Sequence, residues 1–113
     1  MAMLSIVTDN TQAISVMKVK GRVDSESAPE LDDALAEILQ EGRNRIVLDL
    51  KGVDYISSAG LRAIVKAYQA VTKAGGDLRL ASVSDPVEVI LRTVGMMQML
   101  KMYPTDQEAV SSF

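Results

Sequence analysis

The sequence predicts an α/β fold: a mixed sheet of four to five strands with helices mainly on one face. Three observations lead there. Apolar and polar residues alternate in part over the first twenty residues, the pattern of half-buried strands. Ile46-Val47-Leu48-Asp49-Leu50 is a short, mostly apolar run of strand composition. After it, strand-like segments alternate with apolar stripes at helical spacing, and helices between strands are the crossovers that parallel pairing requires.

Residues 4–7 and 13–19 read as two strands joined by the polar connection Asp9-Asn10-Thr11-Gln12, hence a hairpin. After Gly21-Arg22-Val23 a helix begins, where Ser27-Ala28-Pro29-Glu30 has Ser and Glu at capping-box spacing. Pro29 sits in the first turn, where no backbone N–H is needed. Leu31, Ala34, Leu35, Ile38 and Leu39 form its apolar stripe, and Gly42 is its stop.

A strand follows over 45–50, then a helix carrying Leu61, Ile64, Val65, Tyr68 and Val71 to about residue 74, closed by Gly75-Gly76. Residues 77–83 alternate again as a strand. Asp85-Pro86-Val87-Glu88 opens a third helix, with Asp85 as its cap. Val87, Ile90, Leu91 and Val94 make its apolar face, and Gly95 closes it. Residues 98–103 add an edge strand and 106–111 a final acidic helix. Met96, Met97, Met99 and Met102 crowd this region, and core or edge packing is their expected role. No repeat, linker or low-complexity tract interrupts residues 1–113, which are expected to form a single domain.

Composition closes off several functions. A net charge of −3 and scattered Lys and Arg argue against a nucleic-acid partner. With no Cys and no His, thiolate nucleophiles, Ser-His-Asp catalysis and His- or Cys-built zinc sites are excluded. Asp49 and Asp54 flank the end of the apolar strand and pose the question of an acid–base or Mg²⁺ site. No base stands at a recognisable spacing from the serines, and a non-enzymatic protein without cofactor or metal is expected. No apolar run approaches the ~20 residues that span a bilayer, and the N-terminus lacks a secretory pattern. A cytoplasmic location without membrane insertion is the expectation.

The most informative segment is Val53-Asp54-Tyr55-Ile56-Ser57-Ser58-Ala59-Gly60-Leu61-Arg62, which joins a buried strand to a helix through two serines. A hydroxyl at such a junction lies near unsatisfied N–H groups and the positive end of the helix dipole. That setting suits an anionic phosphoserine. It suits an N-cap equally well.

Read with its flanks, the segment resembles the signature of the STAS family, the anti-sigma factor antagonists of bacterial partner switching. The corresponding residues are Ile56, Ser57, Ser58, Ala59, Gly60 and Leu61. A second family element, Gly-x-hydrophobic-Asp, is matched by Gly21-Arg22-Val23-Asp24. The order of elements agrees from about residue 4 to 94, and the domain core is placed at about 4–103. One departure is informative. Family members with Asp-Ser-Ser/Thr-Gly have an acidic residue at Ser57 and a second hydroxyl at Ala59. Alignment back from Gly60-Leu61 puts Ser58 on the family's first hydroxyl, with Ser57 as second choice and as the cap.

The resemblance implies a phosphorylation-controlled switch. The dephosphorylated protein binds an anti-sigma factor, usually also a serine kinase, and frees the sigma factor. Phosphorylation at Ser58 ends that binding, and a serine phosphatase reverses it. The docking set expected is Asp24, Ser57, Ser58, Gly60, Leu61, Arg62 and Lys66, with Gln69 further along the helix. A monomer or weak dimer is expected. Two alternatives share the fold: a subunit of a phospholipid-transport complex, and a partner switch acting on a target other than a sigma factor.

Overall fold

The computed structural model describes residues 3–10 and 13–113. Five strands, β1 (Ser5–Asp9), β2 (Ser15–Lys20), β3 (Arg45–Gly52), β4 (Asp77–Ala81) and β5 (Met102–Tyr103), lie side by side in chain order. Strand β1 pairs antiparallel with β2, Ser5 opposite Lys20 and Asp9 opposite Val16. All later pairs are parallel. The helices are α1 (Ala28–Gln40), α2 (Ser58–Lys73), α3 (Asp85–Thr93) and α4 (Asp106–Ser111), with a 3₁₀ turn at Met96–Gln98. The expected mixed sheet is therefore present with five strands. Thr11 and Gln12 of the expected hairpin connection lie outside the described residues, and Asp9 belongs to β1.

Burial explains the pattern of β3. Ile46, Leu48 and Leu50 enter a large core with Leu31 and Leu35 of α1, Ile64 and Val71 of α2, and Val87 and Leu91 of α3. Val47 points the other way, into a smaller cluster with Ala81 and Ala109 of α4. A central strand covered on both faces reads as a near-continuous apolar run. Asp49 shares the face of Val47, because strand side chains alternate.

The helix starts differ from expectation in two places. Ser27 does not form a capping box: its hydroxyl donates to the Arg22 carbonyl at 2.6 Å and accepts from the Asp24 N–H at 2.9 Å. Glu30 instead accepts from the Leu4 N–H at 2.8 Å, tying α1 to the entry of the sheet. The cap of α3 is Ser84 rather than Asp85, one residue earlier. Its hydroxyl is spent on the Val53 carbonyl at 2.6 Å, which couples α3 to the end of β3. Val94 is 53% exposed and so does not complete the apolar face of α3.

The expected strand at 98–103 shrinks to Met102–Tyr103, since residues 96–98 turn as a 3₁₀ helix. The methionines divide accordingly. Met96 is buried, Met97 and Met102 pack partly against the core, and Met99 is on the surface. Strand β4 stops at Ala81, where Ser82 takes a positive φ of 54°.

Candidate functional site

The two sequence motifs meet in space. Beyond β3 the chain makes an isolated parallel bridge, Val23 to Ile56. The Val23 N–H donates to the Tyr55 carbonyl at 3.0 Å, and the Ser57 N–H donates to the Val23 carbonyl at 2.8 Å. The Asp24 loop is thereby stitched to the start of α2.

Asp24 organises its own loop. Its Oδ1 accepts from the N–H groups of Glu26 and Ser27, both at 3.0 Å. The Ser27 N–H, with smaller help from the Ser27 hydroxyl, the Glu26 N–H and the Arg22 charge, holds the Asp24 carboxyl below its ordinary range. Arg22 Nε stands 3.6 Å from Asp24 Oδ2, and its guanidinium lies 4.0 Å from the centre of the Tyr55 ring. Arg22 and Tyr55 were not singled out from the sequence as site residues, and Ser27 was expected only as a helix cap. Arg22 lies inside the Gly-x-hydrophobic-Asp motif, which was the available signal.

The serines have separate positions. Ser57 is the N-cap of α2, with extended backbone (φ −83°, ψ 170°), and its Oγ accepts from the Gly60 N–H at 3.3 Å. Ser58 is the first residue of the helix, is exposed, and its hydroxyl has no hydrogen-bond partner among the described residues. No acidic residue occupies the first turn of α2, so the positive end of the helix dipole is uncompensated there. Arg62 follows Ser58 by four residues and is exposed on the same side of the helix.

Next to Ser58, α1 and α2 flank an open groove of about 260 Å³, lined by Ser25, Pro29, Asp32, Ala59, Arg62 and Lys66 among others. Lys66 Nζ reaches across it to Asp32 Oδ2 at 3.4 Å. Asp24, Ser57, Ser58, Arg62 and Lys66 thus gather at one end of the α1–α2 layer, and Gln69 is exposed further along α2. Gly60 and Leu61, grouped with them from sequence, are buried. Their place is beneath the junction, because a Cβ on Gly60 would meet Val23 Cγ1 at 2.5 Å. Asp49 and Asp54 do not converge on the serines: Asp49 is buried on the α4 face of the sheet, and Asp54 is exposed in the turn after β3.

The family model of the STAS domain matches residues 5–109. The chain belongs to the STAS family. One relative of this STAS domain is the anti-sigma-B factor antagonist of Staphylococcus aureus, 28% identical over 97 residues, covering 86% of this chain and 90% of the relative. Among solved structures, an anti-sigma factor antagonist from Mycobacterium paratuberculosis superimposes with a TM-score of 0.88 at 22% identity, covering 97% and 93% of the two chains. The Bacillus anti-sigma factor antagonist SpoIIAA shares the fold at 13% identity. Its unphosphorylated form gives a TM-score of 0.75 and its phosphorylated form 0.74, with coverage of 96% of this STAS domain and 96% and 98% of those chains. Among the described residues, no helix of this STAS domain is long and apolar enough to cross a membrane.

Proposed function

We propose that this STAS domain is an anti-sigma factor antagonist whose binding to an anti-sigma factor with serine-kinase activity is switched by phosphate on Ser58. The single observation that carries the reading is the division of labour between the serines. Ser57 spends its oxygen on the Gly60 N–H, whereas the Ser58 hydroxyl is exposed and unengaged. A kinase needs a hydroxyl that can enter another protein's active site, and Ser58 offers one.

The relatives named as anti-sigma factor antagonists supply the partner class. The docking face is assembled from Asp24, Ser57, Ser58, Arg62 and Lys66, supported from below by Gly60 and Leu61. Phosphorylation places about −1.5 to −2 charges at pH 7 in the middle of this face. The helix start tolerates that charge, so the fold is kept while a partner surface shaped for a neutral hydroxyl is repelled. A loss of ~3 kcal/mol weakens affinity more than 100-fold. A serine phosphatase restores the binding form.

The test is to incubate the purified protein with candidate kinases and ATP and to locate added phosphate by mass spectrometry. Phosphate on Ser58, absent from Ser58→Ala, is the expected result. A Ser58→Ala protein that still accepts phosphate rejects the assignment.

A further inference from the structure

We propose that α4 is a proton-linked latch, fastened to the outer face of the sheet by one proton held between the carboxyls of Asp49 and Asp106. This stands apart from the Ser58 switch and concerns the opposite side of the sheet.

Asp49, on β3, is only 8% exposed, and one of its oxygens, Oδ1, accepts from the Lys51 N–H at 2.9 Å. Asp106 opens α4 directly after the Thr105 cap, whose hydroxyl accepts from the Glu108 N–H at 3.1 Å. The Asp106 Oδ1 is fully buried and has no hydrogen-bond partner among the described residues, and Asp49 lines the same groove as Asp106. Two carboxylates cannot bond to each other, and a buried, unpaired carboxylate oxygen is costly. One proton between them converts the clash into a hydrogen bond that ties α4 to β3.

The surrounding charges set how tightly that proton is held. From β2, Lys18 Nζ stands 3.9 Å from Asp106 Oδ2, and Lys20 lies at the rim. From β3 comes Lys51, and from α4 the exposed Glu108. Asp9 of β1 lines the adjoining groove. At the far end of α4, Arg79 of β4 is paired with Asp77 at 2.9 Å and lies over the Phe113 ring. Burial, then the hydrogen bond and charge of Asp49, raise the Asp106 carboxyl to about 6, against the opposing pull of Lys18 and Lys51. An open groove of about 820 Å³ beside the pair gives the proton a route to water.

The sign follows from linkage. An undocked α4 leaves Asp106 with an ordinary carboxyl near 3.9, so the docked form holds the extra proton between about pH 4 and 6. Docking is tightest below about 4 and weakens as pH rises through about 6. Above that, Ala109, Val110 and Phe113 hold α4 against Val47, Ala81 and Tyr103 without the proton. Acidification below neutrality therefore fastens α4.

The experiment is a carboxyl-carbon NMR titration of the full chain, combined with hydrogen exchange at the α4 amides corrected for intrinsic rate. Asp106 is expected to titrate near 6, and the opening equilibrium of α4 to rise about 30-fold between pH 4 and 6 and about 100-fold over the whole titration before it levels off. In Asp106→Asn the side-chain amide donates to Asp49 without a proton, and the pH dependence of opening disappears. Asp49→Asn supplies the same test from the other side and guards against misfolding of the first variant. An Asp106 carboxyl that titrates in the ordinary range, or opening that keeps its pH slope in a folded variant, overturns the latch.

Discussion

Gly60 and Val23 pack so closely that a Cβ on Gly60 would stand 2.5 Å from Val23 Cγ1 and 2.8 Å from Ile56 Cγ1. The contact locks the Asp24 loop against the first turn of α2, and it is why a buried glycine is required inside a helix. Gly60→Ala is expected to lower stability by about 1–3 kcal/mol, the usual cost of forcing extra volume into a packed core. Val23→Ala in the same chain removes the atom in the way, so the double variant recovers part of the loss, because the two sites are coupled. Urea denaturation of the four proteins checks this. Simple additivity of the two single losses would show that the contact is not what constrains Gly60.

Ser57 and Ser58 are expected to separate stability from phosphate acceptance. Ser57→Ala removes the hydroxyl that receives the Gly60 N–H and costs about 1 kcal/mol. It leaves the Ser58 hydroxyl in place for a kinase. Ser58→Ala removes an exposed, unbonded hydroxyl, so its stability stays within about 0.5 kcal/mol of the parent while phosphate uptake is lost. Thermal denaturation alongside phosphate mapping distinguishes the pair. The reverse assignment, a destabilised Ser58→Ala and a phosphate-free Ser57→Ala, would exchange their roles.

What the sequence made legible was whatever local periodicity and composition encode. The apolar run at 46–50 marked the strand covered on both faces, and the stripe Leu61, Ile64, Val71 marked the buried side of α2. Gly42, Gly75 and Gly95 marked helix ends, each with positive φ. The serine junction was legible because a cap and a first helical residue are adjacent in the chain. Demands on side chains from outside their own helix were not. Ser27 is drawn away from α1 by the Arg22 carbonyl, and Ser84 by the Val53 carbonyl 31 residues earlier. The spacing of Ser27 and Glu30 is unchanged by this, so the pattern still suggested a capping box. Burial of Gly60 and Leu61 depends on where Val23 lands, which the motif around Ser58 does not record. The nearness of Asp49 and Asp106 is likewise created only when α4 packs on the sheet.

Asp24 is expected to order the loop that flanks Ser58. The N–H of Ser27 above all depresses its carboxyl, so the charged form is the one the fold prefers. A depressed carboxyl contributes order that is complete above its unfolded value, near 3.9, and is lost as pH falls through the lower folded value. At neutral pH, Asp24→Ala therefore frees the Glu26 and Ser27 amides, and their hydrogen exchange should accelerate while that of the α2 interior does not. In the parent protein the same two amides should lose protection only in strong acid. Unchanged exchange in Asp24→Ala would mean that the Ser27 hydroxyl and the Val23 bridge suffice to hold the loop.

Charge at Ser58 is expected to act in opposite directions on folding and on recognition. The first turn of α2 has no acidic residue, and Arg62 is four residues on. Ser58→Glu thus gains roughly 0.3–1 kcal/mol from the helix dipole, with a few tenths more from Arg62. The same carboxylate sits where a partner must close on the junction, and it should weaken binding to the cognate kinase at least tenfold. Calorimetric titration at low and high salt, with thermal denaturation of the free protein, measures both effects. Because the penalty is electrostatic, salt should narrow the affinity gap between parent and variant. Arg62→Ala in the Ser58→Glu background removes the internal partner of the charge, so the stability gain should shrink while binding stays weak. Equal affinity of parent and Ser58→Glu at every salt concentration would show that the partner does not approach Ser58, and the docking face would then have to lie elsewhere on the domain.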